Sequence, residues 1–269
     1  AIYGARGAFG VILVTTKNAT AGKTKINYNG SFSMHQRTVK TEDGIVSNGL
    51  QWTDGWYTAY LEGQEAPPGG INNVFKYSTD WYNELVRRDA DPSLDKVRVN
   101  DKGEYEYFGN TNWLDIIYKD QNYSTEHNVS ISGGNERARY YVSGRYYNQD
   151  GIYNAGDEKY TQYNIRSKGE IQINKSLLLE NNTDVMIFRS HQPMVMYDRQ
   201  NITRQAQHQG YPVTMEKNPD GTWTEAAVYI GWAGFVEGTS WQKDNKLDVR
   251  NTTTLTYTPI TVSYTHLRA

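Results

Sequence analysis

Between Thr24 and Met34 the chain alternates in steps of two. Thr24, Ile26, Tyr28, Gly30, Phe32 and Met34 fall on one side, and Lys25, Asn27, Asn29, Ser31 and Ser33 on the other. Successive side chains of a strand point to opposite faces, so this segment predicts a strand with one apolar and one polar face. The pattern returns at 127–132 (His127, Val129, Ile131 against Asn128, Ser130, Ser132) and at 137–147 (Tyr140, Val142, Gly144, Tyr146 against Arg137, Arg139, Ser143, Arg145). It returns again at 161–173 (Tyr163, Ile165, Ile171, Ile173), 179–187 (Leu179, Val185, Ile187) and 247–257 (Leu247, Val249, Leu255, Tyr257). Of these six alternating segments all but the short 127–132 run about nine to thirteen residues, the length that crosses a bilayer at a tilt.

The connections alternate as well. Gly133–Glu136 and Asn174–Ser176 are tight turns rich in Gly and Asn, whereas residues 35–124, 148–160 and 188–246 form long loops. Short turns at one end and long loops at the other are the layout of an outer-membrane barrel. Within the loops, TDWYNELVRR (79–88) and TNWLDIIY (111–118) predict short helices, 98–107 predicts a hairpin turning at Asp101–Gly103, and 62–73 reads as irregular. The β-branched run 11–17 predicts a buried strand.

Alternation by itself also fits a half-solvated sheet of a soluble β-protein. The polar face, with Arg137, Arg139, Arg145, Arg166, Lys168 and Glu170, suits a water-filled lumen and bulk water equally. Composition does not separate the two: mean hydropathy is −0.77, and no apolar run is long enough for a membrane helix. A net charge of −2 argues against a nucleic-acid partner, and the absence of Cys removes disulfides, thiolate metal sites and thiol nucleophiles.

More specific stretches carry a family likeness. AIYGARGAFGVILVTTK (1–17) resembles the end of the plug domain of SusC/RagA-type TonB-dependent outer-membrane transporters, matching at Tyr3, Gly4, Arg6, Gly7, Ala8 and Gly10 and departing at Phe9, where the family usually has Asn. Residues 111–152, with a Trp-x-Asp segment, a Ser-Gly-Gly turn and a Tyr-Tyr strand, and residues 160–185 are similar to the family's early barrel. The resemblance implies an all-β fold: about six strands of a large transmembrane antiparallel barrel (23–261), preceded by the end of a plug (1–22). It implies import of oligosaccharides or peptides, not an enzyme's chemistry, in the outer membrane of a Gram-negative, Bacteroidetes-like bacterium. The implied partners are a SusD-like lipoprotein, TonB acting through a segment not present here, the glycan or peptide ligand, and outer-membrane lipid. The polar residues above would face the lumen.

The remaining motifs are set aside. Gly4, Gly7 and Gly10 precede a strand where a dinucleotide fingerprint needs a helix, and Gly22-Lys23-Thr24 lacks the first Gly of a phosphate loop. The five His residues are scattered, so no metal site and no cofactor is expected, although calcium in an outer loop stays open. No nucleophile elbow is present. Trp52, Trp56, Trp223 and Trp232 lie in loops beside polar and Gly-rich sequence, where exposed indoles offer flat faces for a sugar ring; anchoring of loops and interface is the competing role. Residues 262–269 (VSYTHLRA) break the strand pattern and are expected to be non-native; the chain as a whole, lacking an initiator Met, reads as a fragment. Two further readings stand beside the transporter: a soluble, secreted glycan-binding or glycan-cleaving β-protein, and a TonB-dependent receptor for siderophores or cobalamin.

Overall fold

The computed structural model describes residues 21–38, 40, 43–71, 75, 77–194, 201–238 and 241–259. The motif at 1–10, the strand expected at 11–17 and the tail 262–269 lie outside the described residues. Along the chain come β1 (Gly22–Gln36), α1 (Gly49–Gly63), α2 (Thr79–Ala90), β2 (Val97–Val99), β3 (Tyr105–Tyr107), α3 (Trp113–Ile117) and β4 (Gln121–Gly134). Then follow β5 (Ala138–Asp150), β6 (Lys159–Asn174), β7 (Leu177–Pro193), α4 (Ile202–Gln209), α5 (Glu225–Ile230), α6 (Trp232–Val236) and β8 (Trp241–Tyr257).

All six alternating segments are strands, joined as one antiparallel meander in the order β1-β4-β5-β6-β7-β8, while β2 and β3 make the expected separate hairpin. The register carries the two-residue alternation across the whole sheet. Tyr28, Val129, Gly144, Ile165, Val185 and Val249 line up on one face, and Asn27, Ser130, Ser143, Arg166, Asp184 and Arg250 on the other. A slip of one residue in any strand would put charge into the apolar face, so each strand enforces its neighbours' register. The tight turns are set by their residues. Gly134 has φ +139°, and a Cβ there would stand 2.2 Å from the Ala138 carbonyl oxygen, so a side chain at this site is strained and sterically blocked. Asn135 Oδ1 then accepts from the Arg137 and Ala138 amides at 2.8 and 2.9 Å.

The strands are longer than the pattern suggested, from 13 residues in β5 to 17 in β7 and β8. The reason lies on the apolar face. At the loop end it turns polar in a single row, Thr125, Asn148, Thr161, Arg189 and Asn245, yet backbone pairing continues past it. In β8 the stretch from Leu247 to Tyr257 remains below that row.

The buried apolar residues are not in this sheet. Ile71, Trp81, Leu85, Phe108, Trp113, Ile117, Ile202, Ala206, Val213, Ala227, Ile230, Trp232, Ala233 and Phe235 all sit in the loops 37–120 and 194–240. They form two clusters, one around Trp81 and Phe108, the other around Trp113, Trp232 and Phe235. Fully burying each of the larger of these side chains is worth about 1.5–3 kcal/mol, which gives the loops a core of their own. The two loops share it: Gly109 N donates to Val213 O at 2.8 Å, Thr111 N to Pro212 O at 2.9 Å, and Trp113 Nε1 to Thr214 Oγ1 at 3.2 Å.

Candidate functional site

The polar face of the sheet is its concave side. A depression of about 630 Å³ there is lined by residues of all six strands, from Asn27 and Asn29 on β1 to Asp248 and Arg250 on β8. Alternating signs hold its surface in place. Arg145 Nη2 lies 2.8 Å from Glu126 Oε2, Arg250 Nη2 2.9 Å from Asp248 Oδ2, Arg139 Nη2 3.5 Å from Glu170 Oε1, and Arg166 pairs with Asp184. These pairs are solvent-accessible, so each contributes little stability on its own. Their effect is to fix a polar surface on which opposite charges are paired. Of the residues expected on this wall, Arg139, Arg145, Arg166, Lys168 and Glu170 share the face of the depression, by strand parity. Arg137 falls one residue before β5, in the turn, where its carbonyl accepts from Gln172 N at 2.7 Å.

The opposite face is uncovered by any described residue. Ile165 is 51% exposed, Val249 59% and Leu247 66%, and no second sheet packs on them. Four polar side chains of its central rows, on β7 and β8, satisfy one another in a closed ring. Asn251 Nδ2 donates to Thr183 Oγ1 (2.6 Å), Thr183 to Asn181 Oδ1 (3.0 Å), Asn181 Nδ2 to Thr253 Oγ1 (2.9 Å) and Thr253 to Asn251 Oδ1 (3.1 Å).

Above the loop end of the strands stands the folded loop body, and the four candidate tryptophans divide within it. Trp52 and Trp56, one turn apart on α1, join Phe75 and Tyr211 in an aromatic group: Trp52 lies 5.0 Å from Phe75 and 5.1 Å from Tyr211, and Trp56 5.1 Å from Phe75. Trp56 is the outermost, 46% exposed. Trp223 is half-buried, with Lys217 Nζ over its ring and its Nε1 donating to Glu237 Oε1 at 3.0 Å. Trp232 is only 3% exposed, a core residue whose Nε1 donates to Glu216 Oε1 at 2.6 Å, and it presents no open face. Phe75 and Tyr211 were not apparent from the sequence, because each joins the group from a different segment.

Burial pushes the Tyr77 phenol up to about 12, with the neighbouring Tyr211 adding to it, and raises Tyr211 as well. Burial also raises Tyr82 to about 12, helped by its 2.7 Å hydrogen bond to Asp54. These phenols are therefore neutral donors at ordinary pH. Among the described residues no three His, Asp or Glu gather as a metal cage, and no helix is long and apolar enough to cross a membrane.

No family model matches the chain. Curated relatives do. The chain is 28% identical over 176 residues to TonB-dependent receptor P3 of Formosa agariphila, covering 65% of this chain and 13% of that receptor. It is 31% identical over 153 residues to TonB-dependent receptor SusC of Bacteroides thetaiotaomicron, covering 56% and 11%. The chain thus spans a small part of the relatives' length. Among solved structures, the RagAB peptide importer in its closed-closed state matches 97% of this chain and 29% of its own, with a TM-score of 0.56 and 18% identity, a likeness of fold. The open six-stranded sheet is accordingly part of a barrel wall.

Proposed function

We propose that this chain, which has the sequence likeness and fold of a SusC/RagA-type TonB-dependent receptor, supplies part of the wall and outer rim of a transporter importing oligosaccharides or peptides across the outer membrane. The observation that carries this is the contrast between the two faces of one sheet: apolar and uncovered on one side, concave, charged and paired on the other. The first suits lipid and the second a water-filled passage, because a barrel wall alternates between the two media along every strand. A soluble sandwich would need a second sheet over Ile165, Val249 and Leu247.

In this reading the paired charges of the lumen wall keep the passage hydrated without a net field to trap ligand. Trp52 and Trp56 offer ring faces at the mouth, whereas Trp232 is sealed in the other core cluster with Trp113 and Phe235. The motif Tyr3, Gly4, Arg6, Gly7 and Gly10 belongs to a plug that energised TonB displaces, and a SusD-like lipoprotein covers the rim. No bond is made or broken.

The test is made on the full-length receptor in a Gram-negative host. It should fractionate with the outer membrane, need detergent for extraction, run with heat-modifiable mobility, and take up labelled oligosaccharide or peptide pools only when TonB is energised. Extraction in buffer without detergent, or uptake unchanged by deleting the gene, would refute the reading.

A further inference from the structure

The connection between β5 and β6, residues 151–158, is the shortest of the three loops at its end of the sheet, yet the wall and both long loops meet on it. The segment closes on itself, Gly151 N donating to Glu158 O at 2.8 Å and Ile152 N to Glu158 Oε2 at 2.8 Å, and toward the wall His191 Nδ1 of β7 lies 2.9 Å from Asp157 O. Its backbone is held in unusual conformations. Gly156 has φ +86° and Asp157 +44°, and a Cβ on Gly156 would stand 2.6 Å from the Pro193 ring. Aspartate is among the few non-glycine residues that tolerate this region.

Toward the first long loop, Asn154 acts as a clasp on the C-terminal end of α3. Its backbone N donates to Ile117 O at 2.8 Å, and its side-chain Nδ2 is shared among the carbonyls of Asp115, Ile116 and Tyr118 at 3.1, 2.9 and 3.1 Å. Carbonyls at a helix end have no partner within the helix, so one side chain here satisfies groups that would otherwise be left open. Lys119 N adds a bond to Ile152 O at 2.9 Å. Toward the second long loop, Tyr153 meets Phe235 edge-on at 5.0 Å, and beside it Tyr118 of the first long loop hydrogen-bonds Thr203 of the second. Helix α3 then passes the constraint on, since Trp113 is buried between α4 and α6 and reaches Tyr211 O at 3.3 Å. Tyr211 is the ring that stacks on Trp52.

We infer that Asn154 is a positioning residue, and that residues 151–158 lock the two long loops to the barrel wall as one rigid rim, so that its aromatic group is preformed rather than assembled by loop closure. Contacts run continuously from wall to Tyr211 through packed and hydrogen-bonded groups, with no open hinge among the described residues. A preformed surface avoids the ordering cost that a mobile loop incurs on binding.

The experiment uses the full-length receptor in nanodiscs, in a background freed of other cysteines, with spin labels at exposed helix positions and distances from pulsed electron spin resonance. One pair, Val86→Cys and Val228→Cys, spans the two loops. A control pair, Leu61→Cys and Val86→Cys, lies within the first. Both pairs should give a single narrow distance. Adding Asn154→Ala should broaden the first pair and leave the control narrow, with amide exchange rising roughly tenfold in α3 and α4–α6 together. Two separate distances for the spanning pair in the unmutated receptor would overturn the inference, whether or not the Asn154 variant assembles. So would an Asn154→Ala receptor with an unchanged spanning distance. A change confined to 151–158 would also overturn it, since the segment would then be ordered by the loops rather than ordering them.

Discussion

At the scale of single residues, identical side chains take opposite roles according to what surrounds them. Trp56 and Trp232 both lie in Gly-containing loop sequence, but one is half open beside Phe75 and the other sealed beside Phe235 with its N–H on Glu216. Truncating a sealed ring of this size costs about 3–5 kcal/mol, so Trp232 belongs to the stability of the rim. Tyr77 shows the same effect through its titration. It stacks on Trp81 at 3.9 Å, and burial lifts its phenol from 10.0 to about 12. A raised folded value means that the neutral form is preferred in the folded state. Its contribution is therefore complete below pH 10 and lost as pH climbs from 10 toward 12. Near-ultraviolet dichroism of the loop body should collapse in that window, and Tyr77→Phe should move the collapse upward. An alkaline midpoint that Tyr77→Phe leaves in place would contradict this.

At the scale of the element, the central rows of β7 and β8 pose a problem of solvation. Asn181, Thr183, Asn251 and Thr253 occupy the face of Val185 and Val249, which the transporter reading turns toward lipid. Hydrocarbon offers polar groups no partners, and the closed ring of four hydrogen bonds answers that need within the sheet. Asn251→Leu would open the ring and leave the Thr183 and Thr253 hydroxyls short of partners, at a cost of about 1–3 kcal/mol. Replacing all four by apolar residues of similar size should recover most of the loss. Urea titration of heat-modifiable mobility in the full-length receptor would measure both. A quadruple variant less stable than the single one would count against the ring's role.

At the scale of the molecule, the arrangement inverts that of a water-soluble protein: the dry core is in the loops, and the regular sheet leaves its apolar face uncovered. In the sheet order, β1 and β8 each pair on one side only among the described residues. Open edges and exposed apolar rows both invite association in water. Residues 21–259 produced alone in detergent-free buffer should therefore sediment as large assemblies and bind a hydrophobic dye strongly. A monodisperse, dye-negative monomer would argue that some other surface covers Ile165 and Val249, and so against the barrel.

What the sequence determined by itself was of short range. Six strands, two tight turns, α2, α3 and the β2–β3 hairpin follow from period-two alternation, Gly and Asn conformations and local caps. More was legible than the apolar pattern used. Asn48, Asn201 and Thr224 cap α1, α4 and α5 by accepting from the amide three residues on, but α1 also holds Gly55 and several aromatics, which hide its helical period. Only the tertiary structure decided which rings are core and which are rim, that two loops with four strands between them share one interior, and that Asn154 clasps the end of α3 in the first of them. Those outcomes depend on contacts between segments about a hundred residues apart, such as Trp113 with Thr214, and alternation along a strand carries no record of them.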